Sequence, residues 1–97
     1  MSTEIREIEH YSKWFRALRD SRARARILVR ITRLSQGNPG DVKSVGCSVS
    51  ELSLSYGPGY RIYYLQRGDK LVILLAGGNK SSQRADIAKA TELAEYL

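Results

Sequence analysis

Residues 52–64 read LSLSYGPGYRIYY, and the rhythm of this stretch decides what kind of domain the chain makes. Leu52, Leu54 and Tyr56 alternate with Ser53 and Ser55, the two-residue period of a strand with one buried face. Gly57-Pro58-Gly59 then reverses the chain, because glycine reaches positive φ without steric cost and proline fixes its own φ. A second strand, about Tyr60 to Gln66, follows. Along it Tyr60, Ile62 and Tyr64 point one way while Arg61, Tyr63 and Leu65 point the other. Arg61 therefore leaves a rigid strand beside the glycine turn, with aromatic neighbours to limit its rotamers. Two readings of it stay open. Its planar fork of donors suits a phosphate, and it equally suits a carboxylate such as Glu51 on the neighbouring strand.

Downstream, Arg67-Gly68-Asp69 turns the chain again and Leu71–Leu75 lacks polar alternation, as a strand covered on both faces does. Gly77-Gly78-Asn79-Lys80 is expected to end that strand. Ile87, Ala90, Ala94 and Leu97 then mark a C-terminal helix capped by Ser81 or Ser82. Upstream, Tyr11, Trp14, Phe15 and Leu18 fall at helical spacing, so about His10 to Arg19 reads as an amphipathic helix. Asp20 and Ser21 offer N-cap oxygens to a second helix, about Arg22 to Gln36, which Gly37-Asn38-Pro39-Gly40 stops. Ile27, Ile31 and Leu34 form its apolar side, while Arg22, Arg26, Arg30 and Arg33 share one quadrant of its surface. So short a connection predicts a helical hairpin. Ile5 and Ile8 flank a segment that is either an edge strand or the lead-in to the first helix. The expectation is a single α+β domain over residues 1–97: two N-terminal helices and a C-terminal helix packed on a three- to five-stranded, mainly antiparallel twisted sheet.

A chain of 97 residues has room for one modest core. With 42% hydrophobic and 27% charged residues it has the composition of an ordinary globular domain. No segment has the length of a bilayer-spanning helix, and Glu4, Arg6, Glu7 and Glu9 interrupt any apolar run a secretory signal would use. Both point to the cytoplasm and away from membranes. A lone Cys47 gives neither an internal disulfide nor a metal site; it is expected to be small, buried or semi-buried. No cofactor signature is present, since Gly77-Gly78 lacks the strand, loop and helix context of a phosphate-binding loop. Sixteen Lys and Arg against ten Asp and Glu leave a net charge of +6, which favours a polyanionic partner, nucleic acid first.

Three segments in this order, WFRALRDSRARARILVRITRLSQGNPGDVKSVG, VSELSLSYGPGYRIYYL and LLAGGNKSSQRADIAKA, resemble the HigB-like, phage Gp49-related branch of the RelE/ParE superfamily of bacterial toxins. The resemblance covers nearly the whole chain. It implies a RelE-like fold and, in many members, metal-independent cleavage of messenger RNA on the ribosome, where the ribose 2′-hydroxyl attacks the adjacent phosphate. Carried over by motif, Arg61 of GPGYR stabilises charge on the phosphoryl oxygens and Lys80 of GGNK assists the leaving oxygen. Lys43 of GDVK, with Arg22, Arg26, Arg30 and Arg33, holds RNA phosphates, contacts that position without specifying sequence. The resemblance further implies a cognate antitoxin, a helix-turn-helix protein, and a hetero-oligomer with it on operator DNA. Relatives commonly carry a basic residue where this chain has Ser53, and some nucleolytic relatives use a tyrosine or histidine near the start of the last helix, where Ser82-Gln83-Arg84-Ala85-Asp86 offers neither. Acid–base chemistry then falls to Tyr60, Lys80, Asp86 or the ribosome; the sole histidine, His10, reads as a surface residue. These departures keep two alternatives in view: a ParE-like inhibitor of DNA gyrase, and an inactive homologue serving in a repressor complex.

Overall fold

The computed structural model describes residues 3–97. The chain runs β1 (Glu4–Glu7), α1 (Glu9–Ala17), α2 (Ser21–Ser35), β2 (Val42–Gly46), β3 (Val49–Ser53), β4 (Arg61–Arg67), β5 (Leu71–Gly78), a single 3₁₀ turn (Lys80–Ser82) and α3 (Gln83–Ala94). The strands form one sheet in the order β1-β5-β4-β3-β2. Strands β2 to β5 are an antiparallel meander, and β1 joins the other edge parallel to β5. The N-terminal segment is thus an edge strand, and the sheet has the α+β architecture that the periodicity predicts.

Each face of the sheet has its own cover. Tyr11 of α1 and Ile27, Ile31 and Leu34 of α2 pack with Leu52, Ile62, Tyr64 and Leu74 on one face. On the other, Ala90 of α3 packs with Val49, Tyr63, Leu65 and Leu75. The alternation along β4 is therefore the one read from the sequence, with Ile62 and Tyr64 toward the helical pair and Tyr63 and Leu65 toward α3. Asp20 caps α2, its Oδ1 accepting from the backbone N–H groups of Arg22 at 2.9 Å and Ala23 at 3.2 Å.

Four expectations change. The strand placed at residues 52–56 begins and ends earlier, at Val49–Ser53. Leu54 N–H still donates to Tyr60 O at 2.9 Å, but the chain then leaves the sheet, and Tyr56 turns its hydroxyl to Asp20 Oδ2 at 3.0 Å and its ring under Arg26. Strand β5 runs on through Gly77 and Gly78 instead of ending there. A Cβ at Gly77 would enter the Trp14 indole, and one at Gly78 would enter the Asp86 carboxylate, so packing rather than turning demands glycine. The cap at the start of the C-terminal helical segment is Asn79, whose Oδ1 accepts from Ser81 N–H at 2.9 Å and Ser82 N–H at 3.3 Å. Ser82 stands at the first position before α3 but gives it no side-chain cap. Cys47 is exposed, because it occupies with Ser48 the tight turn between β2 and β3, where both adopt positive φ (53° and 65°).

A bulge in β5 sets the site. Tyr63 pairs with Ala76 but Tyr64 pairs with Leu74, leaving Leu75 as the extra residue. Beyond a bulge the faces exchange, so Gly77 meets Trp14 on the α1 side while Gly78 lies against Asp86 on the α3 side.

Candidate functional site: a cationic cluster around a buried glutamate

On the α3 face two cross-strand rows lie side by side. Lys43, Glu51 and Tyr63 are register partners in the first row, and Ser53, Arg61 and Gly78 in the second. Glu51 is 1% exposed, and a carboxylate so placed requires partners. Its Oε2 accepts from the Tyr63 hydroxyl at 2.9 Å and from Gln83 Nε2 at 2.8 Å. Two cations stand further off: Arg61 Nε at 3.9 Å from Oε2 and Lys43 Nζ at 3.7 Å from Oε1. Glu51 Oε1 and Arg61 Nε are both buried without a hydrogen-bond partner. Burial, followed by the hydrogen bond to Glu51, pushes the Tyr63 hydroxyl far above the ordinary tyrosine range, so it remains a donor at every physiological pH.

Arg61 is fixed from its other side by the glycine turn. Its Nη1 donates to Gly59 O at 2.6 Å, while among the described residues Nη2 makes no hydrogen bond. Lys80 borders the same turn, with its N–H donating to Pro58 O at 3.4 Å. A Cβ at Gly59 would sit 3.0 Å from Arg61 Nη1 and 3.5 Å from Lys80 Cβ, and Gly59 has φ of 80°, so this glycine serves both the turn and the close approach. Asp86, hydrogen-bonded by the Ser82 hydroxyl at 2.5 Å, closes the end of the second row beside Gly78. The cluster thus sets Lys43, Arg61 and Lys80 against Glu51 and Asp86, with exposed Lys43 and Lys80 at its rim. Among the described residues no group of three His, Cys, Asp or Glu side chains gathers as metal ligands would.

Of the residues singled out in the sequence, Arg61 and Lys43 flank Glu51, and Lys80 borders the turn that holds Arg61. Tyr60 is elsewhere: its ring packs edge-on against Trp14, 6.4 Å between centroids, on the face that carries α1 and α2. Strand alternation sends Tyr63, not Tyr60, into the cluster. Helix α2 lies on that opposite face too. There Arg30 is held by backbone, donating to Ser53 O at 2.6 Å, Pro39 O at 3.1 Å and Asp41 O at 3.3 Å. Arg26 stacks 4.5 Å above the Tyr56 ring, and with Arg33 and half-exposed Val29 it lines a groove of ≈ 380 Å³. Arg22 is exposed near the start of the helix. His10 is exposed on α1. What the sequence reading treated only as a competing partner for Arg61, the carboxylate of Glu51, is the centre of the cluster. A glutamate two residues from Val49, on the same inward face of β3, was the available signal.

The fold is of RelE type. A mutant of the E. coli toxin RelE in its free state superposes with a TM-score of 0.78 at 19% identity, over 95% of this chain and 97% of that one. Residues 13–95 match the family described as Phage derived protein Gp49-like (DUF891), and the chain belongs to that family, a RelE/HigB-like family of toxins from toxin–antitoxin pairs. It is also 43% identical over 97 residues to an uncharacterized protein of Haemophilus influenzae, covering 100% of this chain and 98% of that protein. Among the described residues no helix is long and apolar enough to cross a membrane.

Proposed function

We propose that the chain is a cytoplasmic toxin that cleaves messenger RNA on the ribosome without a metal ion or other cofactor, arrests growth, and is neutralised by a cognate helix-turn-helix antitoxin, with which it forms a hetero-oligomer on operator DNA. The observation that carries this reading is the placement of Arg61 and Lys43 about Glu51, with Lys80 bordering the glycine turn that holds Arg61. The RNA 2′-hydroxyl gives its proton to Asp86 or a basic group of the ribosome as it attacks the neighbouring phosphorus, the 5′-oxygen leaves, and a 2′,3′-cyclic phosphate results. Arg61 meets the charge that grows on the phosphoryl oxygens with the Nη2 that neither Glu51 nor the turn engages, since a fixed donor in a partly dry site stabilises such charge better than water does. Lys80 protonates the departing oxygen, and Lys43 holds a phosphate at the rim. Exposed Arg22, Arg26 and Arg33 take RNA phosphates beyond the cluster, along the far side of the 54–60 loop; Arg30 supports them by tying the 39–41 loop to the end of β3.

The test is a translating extract. Replacing Arg61 with alanine should lower cleavage about 10²- to 10³-fold, the usual loss when one donor to a developing oxyanion is removed, with the far-ultraviolet circular dichroism unchanged. Cleavage at the parental rate would discard Arg61's role. A second reading, inhibition of DNA gyrase by surface binding, is favoured by two observations: Ser53 stands directly opposite Arg61 where relatives carry a cation, and Tyr60 is packed away from the cluster. A supercoiling assay beside the translation assay separates the two, because relaxed plasmid with intact messenger RNA belongs only to the second. A homologue without chemistry, acting only in a repressor complex, would be silent in both.

A further inference from the structure

We propose that Glu51 is a positioning residue for the cationic cluster: a fixed buried negative charge that orients Arg61 and Lys43 without consuming the donors they offer to a phosphate. The proposal rests on the nuclease reading for its kinetic consequence, and on geometry alone for the orientation.

The distances divide the partners of Glu51 into two kinds. Its hydrogen bonds, 2.9 Å and 2.8 Å, come from the neutral donors Tyr63 and Gln83, one on the central sheet and one on the first turn of α3. These lock the carboxylate. Its cations lie at 3.7 Å and 3.9 Å, well beyond the roughly 2.7–2.9 Å of a charge-assisted hydrogen bond. A charge attracts at such separations without a shared proton, so both cations feel the carboxylate while Lys43 Nζ and Arg61 Nη2 make no hydrogen bond among the described residues. The consequence is most specific for Arg61. Its Nε faces Glu51, its Nη1 is bound to the Gly59 carbonyl, and the remaining Nη2 is the one end of the fork that neither Glu51 nor the turn engages. A stability role alone does not explain the arrangement, since an isolated ion pair of this kind would gain from closing to hydrogen-bond distance. Here one oxygen of a 1% exposed side chain is left without a hydrogen bond, as is the facing guanidinium nitrogen.

The experiment compares the full-length parent with Glu51→Gln, which keeps an oxygen for Tyr63 and Gln83 and removes only the charge. With ¹⁵N-arginine labelling, the parent should give a narrow, slowly exchanging Arg61 Nε–H signal, and Glu51→Gln should broaden or lose it. In the translating extract the variant should lose kcat by about tenfold to a hundredfold, the penalty of a slightly misplaced reacting group, while KM stays level or falls, because a negative charge near the phosphate has been removed. An unchanged Arg61 signal, parental kcat, or a loss confined to KM would each overturn the proposal. Should Glu51→Gln unfold, Gln83→Ala replaces it: this removes one neutral anchor from the half-exposed start of α3 and should give the same changes at several-fold magnitude. If the parent itself cuts no RNA, the nuclease reading fails, and the Arg61 signal alone decides whether Glu51 orients the guanidinium.

Discussion

At the scale of single residues, the chemistry of the site follows from which neighbours a side chain is given by the sheet. Arg61 faced two readings in the sequence, a phosphate or Glu51, and the structure sets Glu51 Oε2 3.9 Å from its Nε, close enough to attract it and too far for a hydrogen bond. Lysine at this position would keep the charge and lose the fork, so it could not satisfy Gly59 O, face Glu51 and still offer a further donor in fixed geometry. Arg61→Lys is accordingly expected to recover little of the cleavage lost in Arg61→Ala, measured as kcat in the translating extract. Lys80→Ala should retain binding and slow the chemical step, by about 10²-fold if it supplies the leaving-group proton. Tyr60 illustrates where sequence reasoning ends at this scale. Its place next to Arg61 was legible, as was its opposite direction, but the Trp14 ring that covers it comes from a helix some 45 residues away in the chain, about which local periodicity carries no information.

The elements carry the supporting structure, and most of them were legible. Both helices of the N-terminal pair appear where apolar spacing places them, and the cap at Asp20 is the one its position suggests. The β3 boundary and the length of β5 were not, because glycine and tyrosine are ambiguous in one dimension: Gly77 and Gly78 look like a stop and are instead surfaces for Trp14 and Asp86. The arginine quadrant on α2 was also correct as a pattern yet uniform only in sequence. Arg30 is distinguished from its neighbours by three carbonyls, those of Pro39 and Asp41 in the loop before β2 and of Ser53 at the end of β3, so Arg30→Ala should cost about 1–3 kcal/mol as part-buried acceptors lose a charged donor, read from the urea midpoint. The cap gives a pH signature. Backbone N–H of Ala23, then the Tyr56 hydroxyl, hold the Asp20 carboxyl below the ordinary aspartate range. With the folded value depressed, its stabilisation is present at neutral pH and is lost as pH falls through that value. Asp20→Asn, which caps without a charge, should therefore show a shallower fall in midpoint than the parent between about pH 5 and pH 2.

For the whole molecule, the two faces of the sheet divide the labour: α1 and α2 cover one and build the larger core, while α3 covers the other, where Arg61 lies mostly buried beside exposed Lys43 and Lys80. The bulge at Leu75 makes this division, since it turns Gly78 rather than Gly77 toward the cluster. No sequence period announces an inserted residue inside a continuous apolar strand, which is why the fold class was readable and the composition of the site only half so. Gly77→Ala tests the arrangement globally, because a methyl group would drive the Trp14 indole off β5; a loss of about 1–3 kcal/mol is expected for such overpacking, measured by chemical denaturation, with the meander itself retained. The central claim, that a cationic cluster on the α3 face cuts translated messenger RNA, is tested most directly by primer extension on cellular transcripts after induction of the parent and of Arg61→Ala at equal protein levels. The account predicts new 5′ ends within translated regions for the parent and none for the variant. Identical breaks in both, or growth arrest by the parent with every transcript intact, would contradict it.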